Sequence, residues 1–255
     1  MPIRKLLAAF ALVAASAHAS VIIVGTRVIY PGGARDVSVR LQNKGDRPAL
    51  VQAWLDRGDP HSTPESESVP FSLSPTLARI DADRGQVLRL VHTGESLPGD
   101  RESVFWLNVL EVPPKPDLAD SNVLQFALRT RIKVFYRPKG LPDRPAEAAR
   151  SLQWRLVRNG NAWTLEARNA SPYFVSVASL SLRAPAPADA ALATAGGAMV
   201  EPRGTQRFDL ANVGPGFSET TSAVLRYAFI DDYGAVIDQE ALLGAIPAAA
   251  PTPKP

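Results

Sequence analysis

The sequence predicts an all-β protein made of two immunoglobulin-like β-sandwich domains, and three observations carry that prediction. Short runs rich in Val, Ile, Leu and aromatic residues recur between turn signals, which is the rhythm of a sandwich. A break, "RPKGLPDRP", follows the seventh run with Pro138, Gly140, Pro142 and Pro145, too proline-rich for a strand to continue. A second series of such runs begins beyond it, and no convincing amphipathic helical period interrupts either series.

The strands expected in the first domain lie near 21–30 ("VIIVGTRVIY"), 36–43, 49–56, 77–80, 86–92, 103–111 and 123–137. Those of the second are "LQWRLV" (152–157), "AWTLEARN", "YFVSVASLSL", "TQRFDL" and "AVLRYAFID". Between Arg183 and Gly197, "RAPAPADAALATAGG" is low in complexity and reads as a loop, with a short helix as the alternative. The end, "IPAAAPTPKP", has the composition of a disordered tail.

The chain opens with basic Arg4 and Lys5, an apolar run from Leu6 to Ala15, and Ala17-His18-Ala19 before Ser20. That is the three-part layout of a cleavable secretory signal, and the apolar run is too short to span a bilayer. The expected organisation is therefore a signal peptide over 1–19, domains over 20–140 and 141–246, and a tail over 247–255. The reading is a protein exported out of the cytoplasm without membrane insertion.

Charge and composition remove several function classes. The full chain carries 28 Lys and Arg against 25 Asp and Glu; without Arg4 and Lys5 the excess is one, and a nucleic-acid partner calls for a basic stripe. With no cysteine, a thiol nucleophile, a thiolate metal site and a disulfide are excluded together. The histidines, His18, His61 and His92, are scattered, so none sits in a cluster with metal-ligand spacing. "DADRG" (81–85) lacks the closing glutamate of a calcium loop, "GPG" (214–216) lacks the strand-to-helix context of a dinucleotide loop, and no serine occupies a G-x-S-x-G elbow. No catalytic residue, metal or cofactor is expected, and an enzyme is the weaker class.

One segment stands out. In "VLQFALRTRIKVFYR" (123–137), even positions carry Leu124, Phe126, Leu128, Thr130, Ile132, Val134 and Tyr136, while Arg129, Arg131 and Lys133 occupy odd ones. Period two means an extended chain with opposite faces of different character, spanning roughly 50 Å at about 3.3 Å per residue. Natural edge strands are blunted by charge, proline or a bulge, and "VLQFAL" has none of these. Arg27 and Lys133 each sit within an otherwise apolar strand. Alternation alone assigns them to a solvated strand face.

"LPGDRESVFWLNVLEVP" (97–113) resembles the signature segment of the periplasmic pilus-assembly chaperones of the chaperone-usher pathway. Also similar are "TRVIYP" near the expected mature N-terminus, "NVLQFALRTRIKVFYRP" (122–138), "NASPYFVSV" (169–177) and "IDDYGA" (230–235). The resemblance covers nearly the whole mature chain in order. It implies a periplasmic location, two immunoglobulin-like domains meeting in an L, pilus subunits and an outer-membrane usher as partners, and subunit folding by donor-strand complementation. By resemblance, Leu124, Phe126 and Leu128 fill the subunit's open groove, and Arg27 with Lys133 hold its C-terminal carboxylate. Glu102, Arg137 and Asp232 match a charged trio that joins the two domains. Some relatives carry a disulfide in the second domain, which this sequence lacks. The short connection from Pro113 to Asn122 resembles the subgroup serving rod-like pili. The competing readings are an exported immunoglobulin-like adhesion or ligand-binding module, which leaves the bare edge and the cation pair unexplained, and an exported hydrolase with no recognised nucleophile.

Overall fold

The computed structural model describes residues 20–65, 68–112, 126–142, 144–160, 162–184, 190–214 and 223–243. The expected signal peptide, the C-terminal tail, Leu124 and the connection 113–122 lie outside them. The described residues fall into two compact units. One draws on Met1–Val24, Val37–Val91 and Leu107–Arg131, the other on Gly25–Asp36, His92–Trp106 and Ile132–Pro255.

Strands β1 (Val21–Ile23), β2 (Arg27–Pro31), β3 (Val37–Asn43), β4 (Ala49–Asp56), β5 (Phe71–Ser74), β6 (Leu77–Ile80), β7 (Gly85–His92), β8 (Ser103–Val112) and β9 (Leu128–Arg137) form two sheets. Their orders are β1-β3-β7-β5 and β2-β9-β8-β4-β6. The run expected as one strand over 21–30 is thus two strands in different sheets. The break falls at Gly25, whose φ of 111° is open to glycine and strained for any other residue. Strand β3 buries Val39 and Leu41 while Ser38 and Arg40 face out, the alternation that packs one face of a sheet. In the first unit these residues join Val51, Leu88, Leu90 and Leu107 among the most buried apolar side chains.

Helix α1 (Pro145–Arg150) is short, with Pro at its start, Glu147 in its first turn and Arg150 in its last, each where the helix dipole and the missing N–H favour it. Strands β10 (Gln153–Asn159), β11 (Ala162–Arg168), β12 (Val175–Arg183), β13 (Ala191–Val200), β14 (Thr205–Asp209), β15 (Ala223–Ile230) and β16 (Val236–Leu243) follow. They make sheets of order β10-β11-β14 and β13-β12-β15-β16 over a core that includes Leu156, Trp163, Leu165, Leu182, Leu225 and Phe229.

Three further expectations change. The loop expected between Arg183 and Gly197 contains most of β13, which pairs with β12 despite its Ala- and Gly-rich sequence. A side chain at Gly197 would overlap the Ala178 and Val177 carbonyls, so glycine permits the close approach that closes this ladder. Strands β5 and β16 had no counterpart in the sequence reading. Finally, of the strand expected over 123–137, residues 123–125 lie outside the described residues, Phe126 and Ala127 are outside any ladder, and β9 runs Leu128–Arg137.

Candidate functional site

Strands β2 and β9 run parallel, with Arg27 directly opposite Lys133 and Tyr30 opposite Tyr136. Opposed residues on paired strands lie about 5 Å apart and project from the same face, so this register sets two cations side by side. Like charges in that position repel. Each is half-buried, which weakens solvent screening.

Arg27 donates through one terminal nitrogen to the Ile230 carbonyl at 2.9 Å, and its guanidinium lies 5.7 Å from the Phe135 ring centroid. Burial lowers its pKa, against the opposing attraction of Asp232, Asp231 and Glu102. The Lys133 pKa is lowered by burial and by the neighbouring Arg27 charge. Among the described residues no carboxylate forms an ion pair with either. Beside Arg27 opens a cavity of about 440 Å³, walled by Phe135, Phe174, Phe229, Arg137, Asp232 and Tyr233 among others. Glu102 and Asp231 also line this cavity and Lys133 does not; what the two cations share is their register on β2 and β9.

Arg137, four residues beyond Lys133 on β9, is the opposite case. Its Nε donates to Glu102 at 2.7 Å, and its terminal nitrogens grip both Asp232 oxygens at 2.8 and 3.0 Å, the two-pronged geometry that makes Arg–carboxylate pairs strong. The other Glu102 oxygen accepts from the Phe174 backbone N–H at 2.9 Å. Burial opposes the Arg137 charge, but hydrogen bonding to Asp232 and the attraction and hydrogen bond of Glu102 outweigh it and raise the pKa. Glu102 is only 4% exposed; burial pushes its carboxyl up, while Arg137 and the Phe174 N–H pull it back. Glu102, Arg137 and Asp232 are therefore brought together.

Phe126 and Leu128 are exposed, at 79% and 46%. Leu124 lies outside the described residues. Sequence reasoning missed Phe174, which backs Phe135 at 5.9 Å between ring centroids and binds Glu102 through its N–H. It also missed Asp56, which gathers Arg129 and Arg131 in the first unit. The two arginines had been visible only as a basic edge.

Residues 20–142 match the family model described as pili and flagellar-assembly chaperone, PapD N-terminal domain, and residues 147–241 match that of the pili assembly chaperone PapD C-terminal domain. The probable fimbrial chaperone YadV of Escherichia coli K12 is 51% identical over 173 residues, 66% of this chain and 70% of YadV. A crystal structure of the YadV chaperone superposes with a TM-score of 0.74 at 40% identity, covering 88% of this chain and all of that one. The chaperone protein HifB of Haemophilus influenzae is 38% identical over 238 residues, 91% of each chain. A chain of the Salmonella enterica SafA pilin complex with the SafB chaperone superposes with a TM-score of 0.70 at 26% identity, covering 88% of this chain and 96% of that chain. The fold class read from the sequence, all-β with two immunoglobulin-like sandwiches, is the one these likenesses share.

Proposed function

The chain belongs to the family of pili and flagellar-assembly chaperones, which are not enzymes, and from that premise we propose that it completes the fold of pilus subunits by lending them the edge of β9. In this reading the protein enters the periplasm behind a cleavable signal over 1–19, keeps bound subunits from polymerising prematurely and delivers them to an outer-membrane usher. The domain limits proposed are 20–140 and 141–246.

The observation that carries the reading is the Arg27/Lys133 pair: two half-buried cations in register on adjacent strands, with no carboxylate paired to either among the described residues. An arrangement that repels itself is retained where an anion relieves it, and a polypeptide C-terminus supplies one. Charge-assisted hydrogen bonds contribute about 1.5 to 3 kcal/mol apiece, enough to fix the register of an incoming strand. A slip of one residue would turn its buried side chains outward.

The apolar edge supports the same reading. Phe126 and Leu128 are exposed in the free chain, and with Leu124 they would enter a subunit's groove, each burial worth about 1.5 to 3 kcal/mol before ordering costs. The new ladder would satisfy backbone groups at the edge. That SafB is known in complex with the SafA pilin supports a subunit as the partner. The trio of Glu102, Arg137 and Asp232 has a structural role in this proposal: it holds the C-terminal end of β9 so that Lys133 stays opposite Arg27.

The test is co-purification of a co-expressed pilus subunit with the wild type, Arg27→Ala and Lys133→Ala. Capture should be lost in both variants while circular dichroism and the thermal midpoint stay those of a folded chaperone. Undiminished capture by both variants would overturn the anchoring role.

A further inference from the structure

Arg129 and Arg131 project from the same face of β9 as Lys133, yet their surroundings differ. Asp56, at the end of β4, has 0% of its surface exposed. One of its oxygens accepts from Arg131 and from the Gly58 N–H at 2.6 Å, the other from Asn108 at 2.7 Å and Ser62 at 2.9 Å. Arg129 donates to the Asn108 side-chain oxygen at 3.0 and 2.7 Å, to Ser62 at 2.9 Å and to the Pro60 carbonyl at 2.8 Å. Its guanidinium lies 4.7 Å from the Trp54 ring centroid, a distance at which cation–π attraction adds to the hydrogen bonds. The Trp54 indole N–H completes the circuit by donating to Ser62 at 3.2 Å. All of these residues belong to the first unit.

The cost of such a network makes its place informative. A buried carboxylate without partners costs several kcal/mol, so Asp56 is tolerated only because donors on β8, β9 and the 57–62 loop converge on it. What they converge around is the start of β9, and immediately before it Phe126 and Ala127 leave the ladder. An apolar core would hold the middle of a sheet; it cannot hold the end of a strand whose next residues are exposed. Charged side chains reaching sideways to a loop can, and Arg129 and Arg131 do so from the first two odd positions of β9, just after Leu128.

We infer that the loop from Asp56 to Ser62, with Asn108, Arg129 and Arg131, is a clamp that fixes the root of β9 before a subunit arrives, so that the Phe126/Leu128 edge is presented already extended. The inference deepens the proposed function and rests on β9 being the lent strand. Asp56, Arg129 and Arg131 are positioning residues: they act through Leu128 and Phe126 and make no contact with the subunit. Pre-ordering the edge removes an ordering cost from capture, so the clamp bears on how fast a subunit is caught. The anion site at Arg27 and Lys133 does not depend on it.

The test uses the full mature chain and the variants Arg129→Met and Arg131→Met, which keep the apolar stems and remove the hydrogen bonds. Asp56→Asn is the harsher change, so the methionine variants keep the test readable if it fails to fold. Two readouts are taken. Amide hydrogen exchange of the free chaperone should quicken by tenfold or more over 126–132 and 57–62, with β3 and β7 unchanged. In stopped flow, association with a purified pilus subunit should slow by about tenfold, corresponding to about 1.4 kcal/mol, and Arg129→Lys should recover part of the rate. Unchanged protection over 126–132 in both methionine variants, or quickening spread evenly through β3 and β7, would overturn the clamp. The exchange arm needs no subunit, so it judges the clamp even if the wild type fails to capture one; that failure would count against the lent strand instead.

Discussion

Two stretches of β9 carry the same kind of charge and are treated in opposite ways. At Arg129 and Arg131, and again at Arg137, each guanidinium meets a carboxylate whose remaining lone pairs are occupied by other donors. Between them, Lys133 faces Arg27 across the ladder, and burial followed by the Arg27 charge lowers the Lys133 pKa. The difference teaches that positive charge on this strand is not a solvated face. On the proposed reading, the carboxylate-paired cations hold the strand at its two ends, and the Arg27/Lys133 pair, with no carboxylate ion-paired to it among the described residues, is where a ligand's anion would bind.

The largest effect that should separate the two classes is loss of function without loss of stability. Lys133→Ala is expected to abolish subunit capture while the thermal midpoint holds or rises, because it removes a like-charge contact; scanning calorimetry beside a pull-down checks both. Arg137→Ala should do the reverse. It strands Glu102, which is nearly inaccessible, and breaking one partner out of a buried pair costs about 3 to 5 kcal/mol, measurable by urea denaturation. Phe126→Asp should weaken capture at least tenfold with no change in the urea midpoint, since the residue is exposed in the free chain and buried only on binding.

A smaller effect concerns acid. Burial would raise the Asp56 carboxyl, but the hydrogen bonds from Arg131, Asn108, Gly58 and Ser62 outweigh it and hold it below its ordinary value of 3.8. A depressed folded-state value means that its stabilisation is complete above the unfolded value near 4 and is withdrawn as pH falls through the lower folded one. Thermal midpoints measured from neutral pH down to pH 2 should therefore drop more steeply for the wild type than for Asp56→Asn, which starts lower. The smallest effect belongs to exposed pairs such as Arg226 with Glu240, where Arg226→Ala should change the unfolding free energy from urea denaturation by less than about 1 kcal/mol.

How much of this the sequence made legible follows the range of the interactions. Strand β3 was readable because its own alternation encodes which face is buried, and β8 because its run is apolar almost throughout. Strand β13 was not, because "ALATAGGAMV" has weak strand preference by itself; its ladder depends on β12 and on the missing side chain at Gly197. The cations at Arg27 and Lys133 were noticed as residues out of pattern, but only the parallel register of β2 with β9 reveals that they face each other. Asp56 gave no signal, since its arginine partner lies 75 residues along the chain and nothing local distinguishes it from a turn aspartate. Phe126 and Ala127 were expected in β9 because alternation runs through them, while a ladder also needs a neighbour to pair with.

The most direct test of the central claim is the binding of two forms of one peptide, the C-terminal segment of a pilus subunit with a free carboxylate and the same peptide amidated, measured by isothermal titration calorimetry. Recognition by Arg27 and Lys133 predicts that amidation weakens binding by tenfold or more, from the loss of one to two charge-assisted hydrogen bonds of about 1.5 to 3 kcal/mol each, and that Lys133→Ala erases the difference between the two forms. Equal affinity of the free and amidated peptides for the wild-type chaperone would contradict it.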